Sequence, residues 1–446
     1  MTEDMKLAPL SRGARIDVLD ILRGIAILLI LYMNIGFQAS PVTYLMGDFR
    51  LIGWTAADRI TWIGIATFLE GTQRCMLEFL FAAGFMVLTR RAMRPDGPVA
   101  IADLHYRRNL WLLAFGLINV FVVLWVGDIL TIYSIAALFL FPFRKLGPKL
   151  LLALGCGFAL FTAVTGAIDY RERVNLIAKV EVAQAARAAG QPITADQRTA
   201  LEDWQKRLDR WDPNRPPDEK TRTSLEKERK GYSGGWWNYA SYLWGEWTSF
   251  MVGKGFLLIA IVEAFCAMLI GIALCKWGVI QGQRSARFYA LATLLAYGFG
   301  LTARFIGGLE VTAFAPTPKT IWITAEFARL AVGLGHVTLI NLIVKTAAGR
   351  TILSPFKAAG RTAFSLYFLE QIIGMHILFA PYGLNLWAKF GWADQFWIAT
   401  GVIVLCLVVG NLWMRFFATG PLEWAWRSLS YVEWQPFRRQ HQAAAA

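Results

Sequence analysis

Charge is scarce in this chain. Only 17% of its 446 residues are Asp, Glu, Lys or Arg, against the ~25% usual in soluble domains. Hydrophobic residues make up 56%, which excludes an ordinary soluble globular protein. Acid is the scarcer sign, with 31 acidic residues against 45 basic and a net charge of +14. Most of the uncompensated basic residues lie in short segments between apolar runs. That is the positive-inside pattern of a membrane protein, so nucleic acid is not an expected partner. The five cysteines (75, 156, 266, 275 and 406) fall within apolar runs, without CxxC or Cys/His spacing. Neither a disulfide framework nor a metal site is expected. Soluble catalytic motifs are lacking too: GxSxG, the P-loop GK[ST], HExxH and a GxGxxG after a strand do not occur. Nor do the two halves show the repeats or paired broken helices of many transporters.

What is present is a series of apolar runs flanked by aromatics, among them 19 Trp and 30 Phe. The pattern predicts an all-α, polytopic integral membrane protein of about ten transmembrane helices. The expected spans are 17–38, 72–89, 108–126, 129–143 and 149–168, then 249–275, 286–306, 320–344, 362–381 and 396–417. Residues 57–70 read as an interfacial helix, because the apolar run stops at Glu70-Gly71. Residues 1–168 form an N-terminal membrane half and 248–446 a C-terminal one. Between them, 169–247 is an extracytoplasmic insertion: charged helices over 169–235, broken at PNRPP (213–217), then the aromatic belt WWNYASYLWGEW (236–247). The short basic segments 10–15, 90–94, 107–108, 144–145, 284–287, 345–361 and 415–439 place both termini in the cytoplasm. This arrangement belongs to a bacterial inner membrane, with the insertion in the periplasm. The bilayer is the certain partner, and the sequence leaves a homodimer open.

Polar residues inside the spans are the candidate site. Span 1 carries Asp20 and Arg23 near its start and Asn34 beyond. Eleven residues separate Arg23 from Asn34, which returns them to nearly the same helix face, roughly 16 Å apart at ~1.5 Å per residue. Arg74 and Glu78 form an i,i+4 pair in span 2, Asp128 sits at the span 3/4 turn, Glu263 in span 6 and Arg304 in span 7. Glu326, Arg329 and His336 share a stripe of span 8, and Arg361, Glu370, Gln371 and His376 lie on span 9. Intramembrane charges must meet one another or line a polar cavity. The two readings, structural ion pairs or a functional cavity, stay open at this point.

Several stretches are similar to a known family. LDILRGIAILLILYMNI in span 1, YRRNLWLLAFGLINVFVVLWVGDIL (106–130), GRTAFSLYFLEQIIGMHILFAPYGLNLW (360–387) and WMRFFATGPLEWAWRSLSY (413–431) resemble the YeiB-like bacterial membrane proteins, a family named as domain of unknown function 418. That family is in turn similar to the transmembrane acyltransferases, which include surface-sugar O-acyltransferases and heparan-α-glucosaminide N-acetyltransferase. The resemblance implies transfer of an acyl group from cytoplasmic acyl-CoA, acetyl-CoA among the candidates, to a hydroxyl or amine on the other face. Acyl-CoA would be a co-substrate, with no tightly bound cofactor, and the acceptor a small molecule or a glycan- or lipid-linked one. Arg23, Arg74 and Arg361 would meet CoA or the acyl carbonyl, with Asn34 orienting the reacting group. Asp20, Glu78, Asp128, Arg304, Glu326 and Arg329 would complete the binding site. The chain also departs from its relatives. Asn34 stands where the O-acyltransferases have His, Asn119 where the family has the His of FGLLH, and Glu370 where it has the Gln of NYLLQ. Glu370, His376 or His336 would then be the base. The alternatives are a transporter of a small polar or lipid-linked metabolite, and a non-catalytic scaffold or sensor.

Overall fold

A computed structural model describes residues 17–89, 100–213 and 215–439. The basic tail 1–14, Arg15 and the basic segment 90–94 lie outside the described residues. Among the described residues the protein is all-helical and has no β-strand.

Span 1 is two helices, α1 (Asp17–Leu29) and α2 (Leu31–Ala39), stepped at Ile30. Asp17 and Asp20 occupy the first turn of α1, where acids suit the helix dipole. A short helix, α3 (Val42–Met46), leads to α4 (Ala56–Phe68), the expected interfacial helix, which opens on a capping box of Thr55 and Asp58. Then come α5 (Thr72–Thr89), α6 (Ala100–Phe121), α7 (Ile129–Leu138), α8 (Pro148–Gly155) and α9 (Gly157–Ala188). The insertion continues with α10 (Ala195–Asp209), α11 (Glu219–Gly231) and α12 (Trp236–Trp247). The rest is α13 (Phe256–Lys276), α14 (Ala286–Thr312), α15 (Ile321–Ile343), α16 (Ala347–Arg361), α17 (Ala363–Ile372), α18 (Trp392–Phe416) and α19 (Pro421–Tyr431).

Among the described residues, six helical stretches are long and apolar enough to cross a bilayer: Asp17–Ala39, Pro148–Ala188, Phe256–Lys276, Ala286–Thr312, Ile321–Ile343 and Trp392–Phe416. Ile129–Leu138 and Ala363–Leu378 are apolar but shorter. The remaining expected spans fall on α5 and α6, whose charged residues lower their mean hydropathy. The compositional border at 168/169 lies within the unbroken helix α9, because the charged, alanine-rich sequence after Ile168 contains no helix breaker.

The shared core is built from α1, α5, α7 and α13, with Leu22, Leu28, Met76, Ala136, Met268 and Ile272 essentially inaccessible. Helices α1 and α16 touch backbone to backbone. A Cβ on Gly24 would lie 2.1 Å from the Phe356 carbonyl oxygen, and one on Gly360 1.7 Å from that of Asp20. The insertion docks on the membrane body through several contacts, among them three near the first loop and the start of α18. Buried Glu228 accepts from the backbone N–H groups of Val42 (2.6 Å) and Thr43 (3.2 Å) at the start of α3. Tyr232 stacks on Trp387 with ring centres 4.2 Å apart. Arg50, paired with Asp48, donates to the Trp211 carbonyl at 3.0 Å and lies over the Phe314 ring.

Candidate functional site

Two cavities lie one beyond the other along the first span. The first, about 460 Å³, opens at the start of α1 and takes in Asp20, Arg23, Arg108, Arg361, Glu423 and Arg427. The second, about 790 Å³, lies towards the end of that span, lined by Asn34, Gln73, Arg74, Arg304, Glu326 and Arg329. Its outer wall includes Tyr232, Tyr242 and Glu246 of the insertion. Arg23 and Asn34, predicted to share a helix face, therefore open into different cavities. Ile129 borders both, and Tyr133, which lines the first, donates from its hydroxyl to the backbone carbonyl of Arg74 in the second at 2.9 Å.

The first cavity is basic. Its four arginines face two acids, and each acid is already engaged. Asp20 pairs with Arg23 at 3.2 Å. Glu423, from the GPLEW stretch, accepts from the N–H groups of Phe364 (2.6 Å) and Ser365 (3.2 Å) and from the Ser365 hydroxyl (2.5 Å). It thus caps the first turn of α17 from a distant part of the chain. Arg108 lies over the Trp426 ring, 4.3 Å from its centre. His105, which the sequence places before span 3, is buried within α6 at the cavity wall, its Nε2 3.0 Å from the Ala137 carbonyl.

Beside the second cavity runs a charge network on α5, α13 and α15. Arg329 binds Glu78 (3.1 Å), Glu263 (3.0 Å) and Glu326 (2.7 Å). Arg74 lies 3.7 Å from Glu78 and pairs closely with Glu263. The stripe read on span 8 and the pair read on span 2 thus meet, with Glu263 of span 6 joining them.

The other expected site residues serve different ends. Arg304 donates to the carbonyls of Ala66 (2.6 Å), Thr67 (3.1 Å) and Glu70 (2.8 Å), a cation at the C-terminal end of α4. Asp128 is buried, caps α7 through the Thr131 N–H (2.7 Å) and accepts from Asn119 (2.8 Å). The three candidate bases line neither cavity. His336 has Nδ1 2.7 Å from the Tyr297 hydroxyl and Nε2 2.9 Å from the Phe68 carbonyl. His376 is held likewise, by Tyr382 (2.5 Å) and the Val123 carbonyl (3.0 Å). A backbone carbonyl can only accept, so Nε2 of each ring is the donor, Nδ1 faces a tyrosine hydroxyl, and both ring nitrogens are occupied. Glu370 is fully buried and neither carboxylate oxygen has a hydrogen-bond partner.

Among the described residues, four lining the second cavity have a donor without a hydrogen bond: Asn34 Nδ2, Gln73 Nε2, Trp125 Nε1 and Arg74 Nε, the last facing Glu78 at ion-pair distance (3.7 Å). Gln73 is 1% exposed. The sequence reading passed over it, since a neutral side chain after Gly71-Thr72 carries no charge signal. Nor does the sequence single out Arg108, which reads as part of the basic segment 107–108, or Glu423 and Arg427, which stand within the closing signature 413–431 without a charged partner nearby in sequence.

All-helical architecture, long apolar helices and buried charge define a membrane protein. Residues 274–433 match the family model described as "Protein of unknown function (DUF418)". The chain is homologous over nearly its whole length to proteins of the YeiB-like family. It is 28% identical to the uncharacterized protein YxaH of Bacillus subtilis (strain 168), over 97% of this chain and 98% of that one. It is 23% identical to an uncharacterized 39.9 kDa protein in the amylase 3' region of Bacillus acidopullulyticus (95% and 96% covered). Identity to the uncharacterized protein YeiB of Escherichia coli (strain K12) is also 23%, over 92% and 95%. No solved structure matches the chain.

Proposed function

We propose that the chain is an inner-membrane acyltransferase, with both termini in the cytoplasm. It accepts acyl-CoA in the basic cavity and passes the acyl group to a hydroxyl or amine in the second. The observation that carries this reading is the basic cavity itself. Four arginines surround an opening of about 460 Å³ whose two acids are both occupied. That volume lies in the ~300–1,000 Å³ range of small-molecule sites. It suits an acyl-pantetheine arm, with the CoA phosphates held at the arginines, which bind phosphate strongly through paired N–H donors. The inner end of the cavity meets the wall at Ile129 and Tyr133, beyond which lie the unpartnered amide N–H of Asn34 and the guanidinium of Arg74. Such donors, placed where an acyl oxygen gains charge, contribute roughly 2.7–4 kcal/mol each. Glu70, Glu246 and Glu326 line the second cavity and are the carboxylates it offers as proton acceptors.

The test is thermal unfolding of purified protein with acetyl-CoA and longer acyl-CoAs, beside Arg23→Ala. Saturable stabilisation, about 2.7 kcal/mol at a ligand concentration 100 times Kd, is expected in the wild type and reduced in the variant. No stabilisation by any acyl-CoA overturns the reading. Two stacked cavities with one wall between them also fit a transporter of a small polar or lipid-linked metabolite. Solute flux through reconstituted vesicles, without acyl-CoA dependence, would select that alternative.

A further inference from the structure

We infer that the second cavity is a binding site for an uncharged, single-chain amphiphile, one whose head presents hydroxyl or ester oxygens and which enters sideways from the bilayer. Asn34 Nδ2, Gln73 Nε2 and Trp125 Nε1 belong to residues lining one cavity and have no hydrogen-bond partner. Buried donors without partners are costly, and three in one cavity select a ligand rich in acceptor oxygens. The charge balance selects against an anionic head. The network beside these donors holds two arginines, Arg74 and Arg329, against three carboxylates, Glu78, Glu263 and Glu326, so it carries no excess positive charge. The carboxylates of the lining are each already paired, Glu70 with Arg304, Glu246 with Lys227 and Glu326 with Arg329, so a cationic head would find no free partner.

The rest of the cavity is hydrocarbon. Away from the donors it is walled by residues such as Met33, Trp62, Ile132, Phe250, Val311 and Met375. At about 790 Å³ it has room for an acyl chain and a small head. The route in runs between α13 and α15. Glu263 and Arg329 close that gap as an ion pair. One turn towards the insertion the facing residues shrink to Ala260 and Ala325, both in the cavity lining. Ala325 and Phe256 (44%) are exposed members of that lining. All three lie on helices long and apolar enough to cross a membrane, so the opening faces lipid tails. As the acyl acceptor, the amphiphile's hydroxyl rests on the reading above; as a ligand of this cavity it stands alone.

The test uses the full chain in phosphatidylcholine nanodiscs, with thermal unfolding as the readout. The probes are monodecanoylglycerol, glycerol and decyl phosphate. Monodecanoylglycerol is expected to stabilise the wild type saturably, glycerol not at all, and decyl phosphate at least about tenfold more weakly. Gln73→Leu, which removes one donor, is expected to weaken monodecanoylglycerol roughly tenfold, the loss of one buried hydrogen bond. Ala325→Trp, at an exposed position, is expected to abolish the shift by filling the entrance. The inference is overturned if monodecanoylglycerol produces no shift, or if both variants respond as the wild type does. It is equally overturned if glycerol alone reproduces the shift, or if decyl phosphate binds more tightly. Acyl-CoA stabilisation, read on the same samples, reports the basic cavity separately, so failure of either site is seen without the other.

Discussion

Two carboxylates outside the spans hold the molecule together with opposite responses to pH. Burial alone would raise the Asp58 pKa, but hydrogen bonds from Ala393, Thr55 and Trp392 outweigh it and hold the group below its usual value. Its contribution to stability is therefore present above about pH 3.9, the unfolded value, and is lost as pH falls through the folded one. Asp58→Asn is expected to lower the unfolding temperature at pH 7 and to converge with the wild type in acid. Glu228 is the reverse. Burial pushes its carboxyl up, further than the N–H groups of Val42 and Thr43 pull it down. Stability linked to it is fully present below about pH 4.3 and fades as pH rises through the folded value. Glu228→Ala strands two buried N–H groups at about 1–3 kcal/mol each. Hydrogen exchange in 210–235 should rise in that variant while exchange in α13 stays unchanged. If both rise equally, Glu228 acts on global stability and is no latch.

At the scale of elements, periodicity in the sequence is enough to place helices but not to say which of them wall a cavity. Each expected span falls on a helix, and the i,i+4 and i,i+3 pairs at Arg74–Glu78 and Glu326–Arg329 exist as read. The separation of Arg23 from Asn34 was not legible, because the wall between them comes from α7, remote in sequence. Nor were the engaged nitrogens of His336 and His376, whose partners Phe68 and Val123 lie 268 and 253 residues away. Contacts between elements also set the tolerance to change. Gly360→Ala would drive a methyl group into the Asp20 carbonyl, an overpacking that costs typically about 1–3 kcal/mol and forces α1 and α16 apart. Its unfolding temperature should fall, and acyl-CoA binding next to Arg23 and Arg361 with it. Arg329→Ala, which leaves three buried acids short of a partner, should destabilise more, by about 3–5 kcal/mol. An unfolding temperature equal to wild type would show that the carboxylates accommodate its loss.

For the whole molecule, homology over nearly the full length of the relatives means that the insertion is carried on a framework found in Bacillus and Escherichia proteins alike. Its helices α10 and α11 are charged and polar in sequence, yet Tyr232, Tyr242 and Glu246 of the insertion complete the wall of the larger cavity. That docking rests on one buried glutamate and a few aromatic contacts, which composition does not reveal.

Helix α9 joins these scales. Its 32 residues span about 48 Å at ~1.5 Å each, well beyond the ~30 Å hydrocarbon core. With Thr162 in the cavity wall and Arg173 donating to the Pro316 carbonyl further along, the helix is a stiff lever with one arm in lipid and one in water. A tilt imposed on the outer arm moves the inner one without any change in the connecting backbone. The insertion and the bilayer-facing wall of the cavity are thus mechanically one part.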